Sequence, residues 1–268
     1  DRDARYKDAA NVMIRRTKAE VARDLPPKMY CEVWLDMDPK QAKAYKEIQQ
    51  QAKAELEGGD LMITGILAEL TRLKQFAGSF GMMTPEGHFK PTLPSNKFEW
   101  LVEFLDERGI TGKDTDYKDQ PKIVVASQFS QLINVFADGL KELGIMTHKF
   151  TGATSDTNRE QIKKDWQEND ASSTRVLLLT TTAGGVSLTL DAASELVVLD
   201  ETWNTSDQEQ LEDRLHRLSR MHQVTIWKVF SKDTIEESIY KNNTDKEVSI
   251  KDILDGARGV DFVRKFLQ

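Results

Sequence analysis

Hydrophobic and polar positions alternate in blocks over residues 122–230. Five short apolar runs are bounded by polar residues, as in strands that are buried on both faces: 123–126, 146–150, 175–180, 195–199 and 224–230. After the first of these runs, apolar residues recur at helical spacing at Leu132, Phe136, Leu140 and Leu143. Strands that alternate with helices of about 10–15 residues imply right-handed crossovers and a mostly parallel sheet. The pattern therefore predicts an α/β fold.

The residues before this region follow a different pattern. We predict a strand over Met29–Leu35 and helices over 39–56, 61–76 and 97–107. The last of these helices begins after Ser95, a favoured N-cap. Glycines and prolines among polar residues predict a loop over 78–95, with His88 exposed.

The amino-acid composition limits which classes of protein the chain can belong to. The 268 residues are 39% hydrophobic and 30% charged, as in a globular protein with a sizeable core. The single cysteine, Cys31, excludes an internal disulfide and favours a reducing compartment, cytoplasmic or nuclear. No apolar run approaches the roughly 20 residues that span a bilayer, so no membrane partner is predicted. The four histidines lack the spacing of metal ligands, and the start at Asp1 suggests a fragment or processed product.

The candidate site begins after the strand at 175–180. Gly184 and Gly185 follow it, and the missing Cβ lets another backbone or a phosphate come close. After the strand at 195–199, the run from Asn204 to Ser206 offers N-caps for a helix. In that helix three leucines form the buried stripe, at Leu211, Leu215 and Leu218.

A second face of the same helix carries Gln210, Arg214 and Arg217. Two guanidiniums one turn apart beside a glycine loop suit a polyphosphate, because each can donate paired hydrogen bonds to phosphate oxygens. The alternative is a solvated face on which the arginines pair with acidic neighbours: Glu209, Glu212 or Asp213. Spacing alone leaves both interpretations open.

These motifs resemble the second RecA-like lobe of superfamily-two helicases, most closely the Swi/Snf-type DNA translocases. The fifth family motif is matched at Thr181, Ala183, Gly184, Gly185 and Trp203-Asn204, and the sixth at Gln210, Arg214, His216 and Arg217. The resemblance implies a three-layer α/β/α lobe with a mostly parallel sheet. It also implies an interlobe linker or brace over 1–28, the lobe over 29–268, and an inserted helical protrusion at about 39–77. We expect a further helix in the tail at 249–268.

The resemblance also implies roles for the residues. Arg214 and Arg217 are expected to be arginine fingers reaching the ATP γ-phosphate, with nucleotide contacts from Gln210, Gly184 and Gly185. The expected partners are the backbone of double-stranded DNA and the first RecA-like lobe of the same protein. DNA contacts are assigned to six residues: Ser127, Gln128, Thr151, Gly152, Thr181 and Trp203. A core position is the alternative for Trp203.

The first lobe of such motors supplies the phosphate loop and the Mg²⁺ carboxylates, and this sequence carries no G-x-x-x-x-G-K-[ST] motif. ATP and Mg²⁺ should therefore be held mainly by that lobe, and this chain should be inactive alone. The run 197–201 imitates the strand that carries a magnesium carboxylate, but the resemblance makes Asp200 structural. The net charge of −7 requires that DNA contacts come from local donors.

The sequence departs from the family pattern at five positions: Thr182, Ser187, Thr189, Ser219 and Arg220. These departures suggest a divergent member, viral or bacterial. A viral protein would act in the host cell. Two further interpretations remain open. One is an RNA helicase lobe of the DEAD-box type, and the other is a RecA-like scaffold without enzymatic activity that binds a protein partner.

Overall fold

The computed structural model describes residues 25–57, 63–112, 120–167, 174–185, 188–203, 205–217 and 223–245. Within these residues the strands are β1 (Met29–Leu35), β2 (Gly81–Met83), β3 (Phe89–Pro91), β4 (Lys122–Ser127), β5 (Thr147–Phe150), β6 (Val176–Thr180), β7 (Ala193–Val198) and β8 (Thr225–Ser231). The helices are α1 (Pro39–Glu57), α2 (Ile63–Gly78), α3 (Asn96–Asp106), α4 (Ser130–Glu142), α5 (Asp156–Gln167), α6 (Thr181–Gly184), α7 (Thr205–Leu215) and α8 (Ile235–Asp245).

Six strands form one sheet in the order β1-β8-β7-β4-β6-β5, and every neighbouring pair is parallel. The carboxyl ends of all six strands therefore meet at one edge of the sheet, which is where ligands bind in open α/β folds. The residues that follow four of these strands, Gln128, Thr151, Thr181 and Leu199, stand at this edge.

Alternating side chains of the central strands build a core on each face of the sheet. Ile123 and Val125 belong to a cluster with residues of α3 and α4, such as Leu101 and Phe136. The intervening Val124 and Ala126 face the opposite way and pack with residues of α5 and α7: Ile162, Trp166, Leu211 and Leu215. Because strands with helices on both faces read as continuous apolar runs, the pattern was visible in the sequence. The prediction of a three-layer α/β/α fold with a mostly parallel sheet is confirmed.

Helices α1 and α2 lie between β1 and β4 in the chain and share a third core with α8. At the base of this helical pair, the Gln41 side-chain amide donates to the carbonyl oxygens of Phe76 and Ala77, at 3.2 Å each. The Tyr45 hydroxyl accepts a hydrogen bond from the backbone N–H of Ile235 at 2.7 Å. These contacts fix the protrusion to the lobe, and its extent as a domain, like the boundaries at 28 and 29, stays a prediction.

Two predictions of local structure need correction. Residues 78–95 are not wholly loop, because β2 and β3 pair there as an antiparallel hairpin. The hairpin is held by buried Phe89, whose ring centroid is 4.7 Å from that of Phe76. Leu143 follows the end of α4 and is 48% exposed, so it does not extend the buried stripe of that helix.

Two further predictions of local structure are confirmed, and two fall mostly or wholly outside the described residues. Ser95 caps α3 by accepting from the backbone N–H of Phe98, and His88 is exposed, as predicted. Most of the predicted linker, residues 1–24, lies outside the described residues, as does the tail at 249–268.

Candidate functional site

The glycine pair lies at the end of α6, a short helical turn directly after β6, rather than in an open loop. A Cβ atom on Gly184 would stand 2.7 Å from the Leu179 side chain and 2.8 Å from that of Leu211. At Gly185 the nearest heavy atoms would be 3.6 Å away. Gly184 is therefore needed for packing between the sheet and α7, whereas Gly185 is also buried but has ordinary van der Waals spacing around it.

Arg214 is attached to this turn from α7. Leu211 and Leu215 are fully buried, so they hold α7 against the sheet as predicted. The Arg214 Nη2 atom donates a hydrogen bond to the carbonyl oxygen of Gly185 at 3.1 Å. Gln210 is exposed one turn earlier, and its Oε1 would be 3.8 Å from a Cβ on Gly185. The structure thus brings Gly185, Gln210 and Arg214 together.

Arg217 does not share the helix face with them, and this part of the prediction is wrong. Helix α7 ends at Leu215, and the backbone N–H of Arg217 bonds the Leu215 carbonyl at 3.2 Å. The preceding His216 is almost buried, and its Nε2 lies 2.7 Å from the carbonyl oxygen of Pro26. Arg217 is half-exposed just past the helix end, and Leu218 lies outside the described residues, as does Asn204 at the start of the helix.

The alternative in which acidic neighbours neutralise the arginines finds no support in the described part of the chain. Glu212 and Asp213 instead bind the ammonium group of Lys28, at 2.9 and 3.2 Å. Among the described residues no carboxylate lies within 4.0 Å of either arginine. Among the described residues, both guanidiniums therefore lack a carboxylate partner, and their positive charge suits an anionic ligand.

Asp200 follows β7 and is the centre of a buried hydrogen-bond network. Its carboxylate accepts from the Ser127 hydroxyl, from the backbone N–H of Gln128 at 2.9 Å and from the Gln128 side-chain amide at 2.8 Å. Asp200 is 1% exposed and Ser127 is fully buried. This carboxylate joins the ends of β4 and β7, as the structural interpretation predicts.

Two lysines that the sequence did not single out for a role stand near this network. Lys97 donates to the carbonyl oxygens of Leu199 and Val229 and to the carboxylate of Glu236, at 2.5 to 2.9 Å. Lys74 donates to the carbonyl oxygen of Glu201 at 2.8 Å. Burial lowers the pKa of Lys74, and the nearby Asp200 carboxylate opposes that shift. A single lysine inside a helix gives no signal in the sequence that it will be buried.

The loop after β5 contains Thr151 and Gly152. Gly152 is exposed, while Thr151 is 6% exposed and its hydroxyl accepts from the backbone N–H of Ala153 at 3.3 Å. Arg159 of α5 holds the loop from below, donating to the carbonyl oxygens of Thr154 at 2.8 Å and Thr151 at 3.3 Å. Sequence reasoning missed Arg159, although its place in the helix directly after the loop was a usable signal.

A polar cleft of about 770 Å³ opens beside this loop. Its lining includes Ser130, His148, Thr151, Gly152, Thr154 and Asn158. None of the described residues of α7 lines it, so the cleft and the arginines are separate features.

The two remaining predicted DNA residues are differently placed. Thr181 is 2% exposed at the start of α6. Trp203 is half-buried against the third core, and the ammonium nitrogen of Lys74 lies 5.8 Å from its ring centroid. Neither alternative for Trp203, groove or core, describes it fully, because the residue packs against the third core and is still partly exposed.

The described residues contain neither a metal-ligand cluster nor a membrane-spanning helix. No group of three or more metal-binding side chains is assembled there. None of the helices there combines the length and the apolar character needed to cross a membrane.

Two family models match the chain. Residues 96–219 match the helicase conserved C-terminal domain, and residues 6–80 match the SNF2-related domain. The chain belongs to the Swi/Snf-type superfamily-two helicases. The first match covers the parallel sheet from β4 to β7 together with both arginines, so the predicted family motifs lie within it.

Relatives of this Swi/Snf-type lobe come from distant organisms. An uncharacterised ATP-dependent helicase of Mycoplasma pneumoniae is 29% identical over 236 residues, covering 88% of this chain and 22% of that protein. Transcription termination factor 2 of Drosophila melanogaster is 32% identical over 166 residues, covering 62% of this chain and 15% of that protein. The chain thus spans less than a quarter of either relative.

Solved structures share the fold of the lobe. The C-terminal part of the Fun30 ATPase domain superposes with a TM-score of 0.68 at 18% identity, covering 91% of this chain and 98% of that one. The Sulfolobus solfataricus SWI2/SNF2 ATPase core in complex with double-stranded DNA gives a TM-score of 0.68 at 24% identity, covering 95% of this chain and 54% of that one. Both matches cover more than nine-tenths of this chain, so they share its fold.

Proposed function

We propose that this chain is the second motor lobe of an ATP-dependent translocase of double-stranded DNA. The observation that carries the proposal is the arginine arrangement: Arg214 is fixed to the Gly185 carbonyl, and two of the neighbouring acids, Glu212 and Asp213, are paired with Lys28. A protein that needed these arginines only for packing would be expected to neutralise them. The relatives named as ATP-dependent helicases and the SWI2/SNF2 core solved with DNA support the same assignment.

The residues present suit a nucleotide held mainly by another lobe. Half-exposed Arg214 and Arg217 and exposed Gln210 supply donors for phosphate oxygens. Bound ATP with Mg²⁺ supplies the phosphoryl group, and the first lobe supplies its phosphate loop and metal ligands. In this chain the arginines stabilise the negative charge that develops on the transferred group.

We assign the DNA contacts to the carboxyl edge between β4 and β5. Gly152 and the polar cleft face solvent and can meet phosphate oxygens without reading bases, which permits tracking along any sequence. Gln128 stands beside them, half-buried, with its side-chain amide held by Asp200. Ser127, Thr151 and Thr181 are buried, so we propose that they shape this groove from beneath. Trp203 closes the groove on the side of the protrusion.

The decisive experiment compares ATP turnover by the isolated chain and by the full protein that contains both lobes. We expect no turnover by the isolated chain and turnover stimulated by duplex DNA in the full protein. Arg217→Ala and Arg214→Ala should each lower the stimulated rate by about 10³-fold or more, as for other arginine fingers. Lys43→Ala, at an 81% exposed side chain of the protrusion, is the control and should retain the rate.

Three outcomes would redirect the proposal. Metal-dependent turnover by the isolated chain would show that it holds a complete site. Stimulation by RNA but not by duplex DNA would identify an RNA helicase lobe. Full activity in both arginine variants would favour a scaffold that binds a protein partner.

A further inference from the structure

The segment that enters the lobe, residues 26–30, lies directly on the arginine helix. The ammonium group of Lys28 and the hydroxyl of Tyr30 both donate to one oxygen of Glu212, at 2.9 and 2.8 Å. The Gln208 side-chain amide donates to the other oxygen at 3.1 Å. Glu212 is 3% exposed, so this carboxylate depends on these three donors in place of water.

A second contact from the same segment lies four residues further along. The Nε2 atom of His216 stands 2.7 Å from the carbonyl oxygen of Pro26. Because a carbonyl oxygen can only accept, Nε2 must carry the proton that is donated. Glu212 and His216 therefore bracket Arg214, and His216 directly precedes Arg217.

The contacts have the character of a fixed attachment. Burial and the Glu212 carboxylate raise the pKa of Tyr30, so its hydroxyl keeps its proton and donates throughout the working pH range. Lys28 is partly shielded, with 18% of its side chain exposed, and Asp213 is a second partner for its charge. An ion pair with one buried partner is costly to break, because it leaves the buried charge uncompensated.

We propose that Glu212 is a positioning residue through which the entering segment sets the placement of both arginines. Residues 26–30 hold the carboxyl end of α7, and Arg214 and Arg217 project from that end. A displacement of the segment, as when two lobes close, moves the arginines with it. The inference rests on the proposed function, since it concerns the arginines' action on nucleotide.

The test uses the full protein with duplex DNA and measures kcat and KM for ATP separately. Lys28→Met and Glu212→Gln should each lower kcat by about 10-fold, because small misplacements of reacting groups are expensive. The KM for ATP and the Kd for DNA should stay within about twofold. The double variant should be no slower than the slower single variant, since both changes break one contact.

Controls separate positioning from stability. Lys28→Arg should restore at least half of kcat, because it keeps the charge beside Glu212. Lys232→Met removes an exposed ion pair with Asp36 at the opposite end of β1, at 3.0 Å, and should leave kcat unchanged. If Lys28→Met fails to fold, Tyr30→Phe removes only a hydroxyl and should still lower kcat.

Two results would overturn the inference. One is that folded Lys28→Met and Tyr30→Phe keep kcat within twofold of the parent protein. The other is that the kcat losses of the two single variants multiply in the double variant. If Arg214→Ala and Arg217→Ala retain turnover in the same assay, the proposed function itself fails and this inference with it. If the arginine variants lose turnover while the Lys28 and Tyr30 variants do not, only this inference fails.

Discussion

Two polar regions of the lobe are built in opposite ways. The Asp200 carboxylate receives three donors while nearly excluded from water. Around Arg214 and Arg217 the guanidiniums are half-exposed, and among the described residues only a backbone carbonyl engages one of them.

The difference separates groups that hold the fold from groups available to a ligand. A buried carboxylate whose acceptor sites are filled has little capacity left for a metal ion, although the sequence around it imitates a magnesium-binding strand. A guanidinium without a carboxylate partner retains its full charge for an incoming anion. Whether a charged group already has hydrogen-bond or ion-pair partners within the fold is thus a better guide to function here than the local sequence motif.

The largest expected effect on stability comes from Asp200→Ala. The substitution leaves the buried hydrogen-bond donors of Ser127 and Gln128 without an acceptor. We therefore expect a loss of about 3 kcal/mol in the free energy of unfolding. Urea denaturation of the chain measures it. Arg214→Ala should cost less than about 1 kcal/mol, because the guanidinium makes one partly exposed hydrogen bond. Equal losses in the two variants would remove the contrast between the regions.

A smaller effect is expected at the glycine pair. Gly184→Ala places a methyl group 2.7 Å from the Leu179 side chain and should cost about 2 kcal/mol through overpacking. Gly185→Ala is the matched control, with its nearest neighbours at 3.6 Å, and should change stability by less than about 0.5 kcal/mol. Thermal unfolding of both variants tests the assignment, and a reversed order would contradict it.

The smallest effect concerns His148, which lines the polar cleft. Burial lowers the pKa of His148, outweighing the Asp165 carboxylate 3.4 Å from its Nε2, and Lys122 acts in the same direction as burial. The folded state therefore binds fewer protons than the unfolded state, and stability falls as the pH drops below the ordinary histidine pKa of about 6.5.

Unfolding free energies of the parent chain and of His148→Gln, measured between pH 7.5 and 5.5, check this sign. The variant should lose less stability on acidification than the parent. His88→Gln removes an exposed histidine and serves as control. A steeper loss in His148→Gln would show that the ion pair with Asp165 dominates instead.

The fold was largely predictable because its central strands are buried on both faces. In residues 123–126 and 175–180 polar residues do not alternate with apolar ones. This pattern predicted both that the two segments are strands and that they belong to a parallel sheet. The hairpin at β2 and β3 was missed, since three-residue strands rich in glycine and proline resemble a loop.

The site was predictable in its residue types but not in its internal contacts. Spacing placed Gln210 and Arg214 on one helix face, and the structure agrees. It also placed Arg217 there, which the early end of α7 contradicts. Two of the three donors to Glu212, Lys28 and Tyr30, come from more than 180 positions away, and no local pattern reports such a contact.

The attachment of β1 has a mechanical consequence. All seven of its residues pair in parallel register with β8, at the edge of the sheet nearest the entering segment. Tension applied to that segment along the strand axis loads the whole ladder in shear, so the bonds resist together instead of opening one by one. A lobe pulled in this way can bear load through its first strand without peeling apart.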